Sequence, residues 1–429
     1  MPPTIQSAAR RSNARWVGFQ PREISALKQR QVVREHASEA AWLWQQRERA
    51  VRAPHYRLFE LGKLDARVLA HLRGMEVAGE DGRTAIREAL ERVDAGAVFV
   101  FAYLAFSATD AAAMRHALRL AAIDGACEAA VAAALGWNVT ATVQGPLLRL
   151  ATSPVALHRR LALVGLVAHR VPCESIVVAG LRDLDATLRS AGCAAIGELG
   201  LVARAPLLAQ AQADAEACVR MAAAKAAVRC GLAAAVPALF EEALAQPQPP
   251  RAAIELAIRH GGRDWTCDAL RRLVANPAHR RLAIHAAGAA GEPASLPWLL
   301  ETTCEVAHAR TAGEAVAMIT GADLRYLNLH RDAPEDAGEL DEHPDDQHLV
   351  WPDPVALGAW CERSRGARPS GDRLLCGVRP TPDACARVLR DGYQRQRAAA
   401  AIELARHERS RPLFDVRRRA DWQRRHFAS

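Results

Sequence analysis

The chain has 429 residues, half of them hydrophobic and only 5% aromatic, with 56 Lys and Arg against 48 Asp and Glu for a formal net charge of +8. That length can bury a large core, as several domains or one elongated array, and the low aromatic content argues for close-packed helices over a β-sandwich. Only Lys28, Lys63 and Lys225 are lysines, so the arginine skew reflects genome composition and the basic balance says little about partners.

Residues 1–31 are basic, polar and irregular and read as a disordered tail or an over-called start. They contain no apolar core for a signal peptide, and no later run is long enough to span a bilayer. Ten cysteines, with no C-x-x-C pair, read as buried reduced thiols. A cytoplasmic protein is the expectation.

Residues 32–93 read as an N-terminal helical module. "VVREHASEAAWLWQQRERAV" is an amphipathic helix carrying Trp42 and Trp44, and "YRLFELGKLDARVLAHLRGMEVAG" follows as a second helical unit. "DAGAVFVFAYLAFSA", the most apolar run, is too short for a membrane span and reads as a buried helix.

Residues 94–322 carry a recurring frame. "DATLRSAGCAAIGELG" (Asp185 to Gly200) returns as "EACVRMAAAKAAVRCG", "PQPPRAAIELAIRHGG", "NPAHRRLAIHAAGAAG" and "VAHARTAGEAVAMITG", each with arginine fifth and glycine last. With "VALHRRLALVGLVAHR" upstream, the fifth-place arginines are Arg159, Arg189, Arg220, Arg251, Arg280 and Arg310, at steps of 30, 31, 31, 29 and 30. Periods of about 20 to 50 residues mark repeat arrays. The stretches between the windows have apolar residues at three- and four-residue spacing, with Pro or Gly at the joints. The expected fold is therefore all-α, a HEAT-like alpha-alpha superhelix, a right-handed solenoid of helical hairpins. "DAEACVRMAAAKAA" matches the HEAT second-helix pattern closely.

Packing accounts for most of the frame. Small residues at the seventh place let second helices approach, and a terminal glycine adopts the left-handed conformation that ends a helix. The six arginines read either as an intramolecular ladder to acids and carbonyls of adjacent units, the usual role of a repeated charge in a stack, or as a ligand-binding row.

Residues 323–350 form an acidic loop, read as solvent-exposed or as a flap over basic residues of the array. Its His330, His343 and His348 fit no recognised metal-ligand spacing, and no metal or cofactor is expected. Residues 351–429 read as a helical cap and basic tail. There "YQRQRAAAAIELARHE" repeats the frame with Arg397 in the arginine place, and Arg417, Arg418, Arg419, Arg424 and Arg425 read as a solvated cluster.

The combination of "VVREHASEAAWLWQQRERAVRAPHYRLFELGKLDARVLAHLRG", "ITGADLRYLNLHRDAPED", "WPDP" and "GYQRQRAAAAIELA" resembles an uncharacterised proteobacterial family of HEAT-repeat proteins often encoded beside type VI secretion spike and effector genes. The resemblance covers nearly everything from Val32 onward. It implies the fold and a genomic setting, and it carries over no catalytic or binding residues.

The common nucleotide, zinc and hydrolase signatures are absent. His36 with Glu39, and His55 with Tyr56, lack a third member to orient them and read as ordinary polar residues. Trp42, Trp44, Trp137, Trp265 and Trp298 read as packing anchors. The expectation is a non-catalytic scaffold or adaptor for a protein partner, such as a secreted effector or spike component. The alternatives are a nucleic-acid-binding, glycosylase-like helical-repeat protein and a HEAT-like lyase. Arginines paired with acids inside the stack would remove the main support for nucleic acid; arginines projecting into an open groove would strengthen it.

Overall fold

The computed structural model describes residues 21–339, 343–367 and 373–428. Among them the chain is all-α: twenty-two helices and a single two-stranded ribbon. No helix of the described residues is long and apolar enough to cross a membrane.

The first six helices are α1 (Pro21–Ala50), α2 (Leu58–Val77), α3 (Glu80–Ala89), α4 (Ala95–Ser107), α5 (Ala111–Ala121) and α6 (Gly125–Trp137). α1 starts eleven residues before the expected boundary at residue 32, because the helical stretch runs on N-terminally from Val32 to a proline, which suits a first turn. Residues 1–20 of the expected tail lie outside the described residues. α4 is the apolar run. The Asp94 carboxylate caps it by accepting from the Gly96 and Ala97 amides, and Phe99 is fully buried, stacked on Trp44 at 4.6 Å and edge-on to Trp137 at 5.4 Å. Trp42 departs from the anchor reading: it points outward and is 54% exposed.

Six helix pairs follow. They are α7 (Thr140–Leu150) with α8 (Ala156–Ala168), α9 (Glu174–Leu181) with α10 (Ala186–Leu199), α11 (Leu208–Ala211) with α12 (Ala217–Arg229), α13 (Ala235–Leu244) with α14 (Arg251–His260), α15 (Arg263–Ala275) with α16 (Arg280–Ala290), and α17 (Leu296–Thr302) with α18 (Ala309–Thr320). The first helix of each pair packs on the second, and the second helices pack on one another in chain order. Small residues make this possible. A Cβ on Gly197 of α10 would lie 2.9 Å from the Cα of Ala226 on α12, so the two helices are as close as their backbones permit. The core runs continuously from Val33 to Ala290, with a second cluster around α16–α18.

Gly200, Gly231, Gly291 and Gly321 close α10, α12, α16 and α18 at φ of 66°, 85°, 71° and 76°. The glycine of the Arg251 window differs. Gly262 has φ of −66° and stands at the N-cap of α15, because the joint there is only Gly261 and Gly262.

The ribbon pairs β1 (His330–Arg331) with β2 (Trp351–Pro352), antiparallel, with His330 opposite Pro352. It pins the ends of the acidic loop. The chain finishes with α19 (Pro354–Arg363), α20 (Pro382–Asp391), α21 (Gln394–His407) and α22 (Ala420–Ala428).

These last elements do not simply cap the far end. α21 packs against α12 and α14, and α22 reaches back to α2. The connecting segments run along the C-terminal ends of the second helices: Leu374 N–H donates to Gly291 O at 2.7 Å, Cys376 N–H to Met318 O at 2.8 Å, and Leu413 N–H to Glu198 O at 2.8 Å. Helix C-termini leave carbonyls without intrahelical donors, and this strap supplies donors to several. Of the expected solvated arginine cluster, Arg417, Arg424 and Arg425 are exposed, while Arg418 and Arg419 are partly buried and the reading is corrected for them. Arg419 Nη1 donates to Trp137 O at 2.7 Å, Arg418 lies over the Trp422 ring at 4.0 Å, and Arg417 O accepts from Arg47 Nη2.

Candidate functional site

The six frame arginines fall in the first turns of α8, α10, α12, α14, α16 and α18, at the helix's fourth residue in the first three, which make one repeated set of contacts, and at its first or second residue in the others. Arg189 Nη1 donates to Asp183 O at 3.1 Å and Leu184 O at 2.9 Å, while Nε and Nη2 grip the two oxygens of Asp214 at 2.8 and 2.9 Å. Arg159 meets Ser153 O, Pro154 O and, through both Nε and Nη2, one oxygen of Asp183; Arg220 meets Asp214 O, Ala215 O and both oxygens of Glu242. Each guanidinium therefore ties the loop behind it to an acid in the pair ahead. The fixed five-donor fork of arginine suits this task, which lysine cannot perform. Asp185 does not pair with Arg189 four residues on; it caps α10 by accepting from Leu188 N–H at 2.9 Å.

The later members change partners. Arg251 meets Glu255 at 2.7 Å, Glu314 at 3.4 Å and Asp345 of the acidic loop at 3.9 Å. Arg280 pairs with Glu305 and lies over Trp298, and Arg310 lies 4.8 Å from the Trp351 ring centre. Arg397 leaves the ladder altogether. It is fully buried, donating to Leu389 O at 2.6 Å and to the side-chain carbonyls of Gln394 and Gln423.

The described part of the acidic loop is exposed over most of its length, as at residues 325–328 and 330–333, and docks on the array at Asp345 and Asp346. Asp346 is buried and takes Arg281 through both oxygens, at 2.5 and 2.7 Å, with Thr311 Oγ1 at 3.1 Å. Burial opposes ionisation there, yet Arg281 holds the carboxyl below its ordinary range. Residues 340–342 lie outside the described residues.

Where the loop, the end of the array, the N-terminal module and α21 meet, a junction forms from four separate stretches. Tyr393 Oη donates to Asp323 at 2.9 Å, Arg57 Nη2 donates to the same oxygen at 2.8 Å, and the Arg57 guanidinium lies 4.4 Å over the Tyr393 ring. Arg395 grips Glu314 at 2.8 and 2.9 Å and also donates to Arg52 O and Asp345 O. Gln394 N–H donates to Tyr56 O at 2.8 Å. A cavity of about 90 Å³ opens here, lined in part by His55, Glu314, Asp323, His348, Tyr393 and Arg395.

His55 and His348 face each other at 4.3 Å, and His348 holds a left-handed φ of 70°. Such a conformation is costly for a side-chain-bearing residue and persists where its surroundings enforce it. Burial, then His348, Arg325 and Arg395, push the His55 imidazole down, so it is neutral near pH 7 and its buried Nδ1 has no partner. The junction thus offers a neutral imidazole beside fixed ion pairs, in a space of a few water molecules. No serine, threonine or cysteine of the described residues lines it.

The other histidines are dispersed. His36 meets His71 at 2.9 Å rather than Glu39, His330 Nδ1 contacts Leu324 O, and His343 Nδ1 accepts from Asp345 N–H. Among the described residues no three His, Cys, Asp or Glu side chains gather as a metal site. Six of the ten thiols are buried, while Cys218 and Cys304 are exposed, against the reading of uniformly buried cysteines.

Periodicity does not point to Tyr393, Asp323, Arg395 or Glu314: Glu314, Tyr393 and Arg395 stand at variable places of frame windows, and Asp323 follows one in "ITGADLR". No described protein family matches the chain, and no curated protein matches it at a significant level.

Proposed function

We propose that the six stacked pairs form a HEAT-like, right-handed α-solenoid and that the protein is a non-catalytic adaptor holding another protein. The observation that carries this reading is how Arg159, Arg189 and Arg220 are committed. Each fixes the loop behind it through two carbonyls, while the loop tips remain accessible, Val155 at 47% and Leu184 at 99% exposure. Rigid loops at regular spacing with bare apolar tips make a preorganised surface, and preorganisation lowers the entropic cost of association.

The same commitments weaken the nucleic-acid reading. A phosphate track needs arginines free to meet phosphates, and these are paired with acids in the stack. The lyase reading gains no support from the junction, whose described lining holds no cysteine and ties Asp323 and Glu314 into ion pairs. The resemblance of the terminal segments supports the narrower setting, loading or delivery of a type VI secretion effector in the cytoplasm.

The test is an affinity pull-down of the tagged full-length protein from its native extract, with and without nuclease, beside the variants Leu184→Glu and Val155→Glu. One stoichiometric protein that survives nuclease and moderate salt, and is lost from the variants, is expected. Recovery that depends on nucleic acid, with duplex affinity falling steeply as salt rises, overturns the reading.

A further inference from the structure

Helices α3 and α5 both pack on α4, and a cavity of about 520 Å³ lies between them, over the C-terminal half of α4 and separate from the junction. Much of its lining is apolar. Phe101 and Ala105 are nearly buried, Leu104 and Ala113 are half-buried, and Ala108 and Ala112 are exposed. On the α5 side His116 stands edge-on to Phe101 at 5.0 Å.

The charged part of the lining is Arg83, Arg87 and Arg119 against two carboxylates, Glu76 and Asp110. Both acids are already engaged. Glu76 accepts from Ser107 Oγ at 2.7 Å, and Asp110 caps α5 by accepting from the Ala112 and Ala113 amides at 2.9 and 3.1 Å. Arg83 and Arg87, one turn apart on α3, converge on a single carboxylate that does not line the cavity: Arg83 Nε meets one oxygen of Glu80 at 2.7 Å and Arg87 Nη1 meets the other at 3.2 Å. The two guanidinium groups are thus already set to hold one carboxylate, an oxygen each. The acid now in that place is 65% exposed, and an ion pair so open to water is weak and readily exchanged. The influence of the pair also reaches across the cavity to α5. After the Ala113 and Ala112 amides, Arg83 and Arg87 help hold the Asp110 carboxyl below its ordinary range.

We propose that this cavity binds an amphipathic carboxylate of the medium-chain fatty-acid class, with its apolar body over Leu104, Ala105 and Ala108 and its carboxylate replacing Glu80 on Arg83 and Arg87. The arginine fork favours a carboxylate, and each methylene removed from water along the alanine and leucine wall favours entry. The volume lies in the range of small-molecule sites, roughly 300–1,000 Å³. The site uses none of the loop tips that carry the adaptor reading, so either can fail alone.

The experiment is calorimetric titration of the full-length protein, below micellar concentrations, with sodium decanoate, decan-1-ol and decyltrimethylammonium chloride. Saturable one-to-one binding of decanoate is expected, with the alcohol about tenfold weaker or more, the scale of one lost charge-assisted hydrogen bond, and the ammonium weaker still. The double variant Arg83→Gln, Arg87→Gln should weaken decanoate about tenfold or more and leave the alcohol unchanged. Glu80→Gln removes the internal competitor and should tighten decanoate severalfold, which a purely structural ion pair would not do. Ala108→Trp, at an exposed lining position, should weaken acid and alcohol alike, and the exposed Arg271→Gln on α15 should change nothing.

The proposal is overturned if decanoate shows no saturable binding up to millimolar concentration, or if Ala108→Trp binds it like the parent, which would place the chain elsewhere. Equal binding of acid and alcohol, unaffected by the arginine variants or by Glu80→Gln, refutes the carboxylate assignment and the proposal with it. Circular dichroism checks folding. Should Ala108→Trp fail to fold, Ala112→Trp on the facing helix decides in its place by the same criterion.

Discussion

Glu403 shows how strongly single buried charges govern this molecule. It is fully buried on α21 and meets Arg373 at 2.6 Å, Arg406 at 3.1 Å and Arg259 at 3.4 Å. Burial works against ionisation, but the three guanidinium groups hold its carboxyl below the ordinary range. Glu403→Gln leaves those cations without a counter-charge, and a loss of about 3–5 kcal/mol is expected by denaturant titration. The histidines act in the same sense with pH, costing stability as it falls. Burial pushes His260 down to about 4 and His285 well below its ordinary value, so the folded protein keeps them neutral while the unfolded chain takes up protons near pH 6.5. Stability is therefore full above pH 6.5 and falls as the pH drops toward 4, by roughly 3 kcal/mol for His260 alone. Urea midpoints at pH 7.5, 6 and 5 should decline in that order, with a shallower decline in His260→Asn. A flat series would refute the assignment.

At the scale of elements, the ladder and the strap make separable predictions. Arg189→Lys keeps the charge but loses the fork between Asp183 O, Leu184 O and Asp214; a cost of about 1–2 kcal/mol is expected in the melting curve, with no rescue by the lysine. Gly200 is held at φ of 66° with the Arg411 carbonyl 2.6 Å from where a Cβ would stand. Gly200→Ala should cost more than about 1 kcal/mol and speed tryptic cleavage in the strap, whereas Gly125→Ala, with open space around it, should do neither. Equal cleavage in both would mean that the strap does not depend on this contact. The ladder's positions are legible in the sequence because one residue type recurs at one spacing. Its partners are not. Asp183 and Asp214 lie in joints of irregular length, and nothing in the spacing separates a partner in the next pair from the neighbour four residues away. Arg397 misleads for the same reason: the frame is kept, but the helix carrying it packs on α12, α14 and α20, and the guanidinium turns to Leu389 O, Gln394 and Gln423 instead of loop carbonyls.

For the whole molecule, the all-α character and the order of the pairs follow from local periodicity. The return of the chain does not. Asp65 accepts from Ala420 N–H across 355 residues, and Gln394 reaches Val51 O across 343; no local pattern announces contacts of that separation, and a basic segment with few apolar residues reads as a tail. The junction was hidden likewise, since its four stretches are unremarkable until they are brought together. This return imposes an order on biosynthesis. At roughly 5–20 residues per second, the N-terminal module waits about 20–70 s on the ribosome for the partner of Asp65 to be made. During that interval the faces of α2, α12 and α14 that α21 and α22 later cover stay open to chaperones, and docking of those two helices covers them.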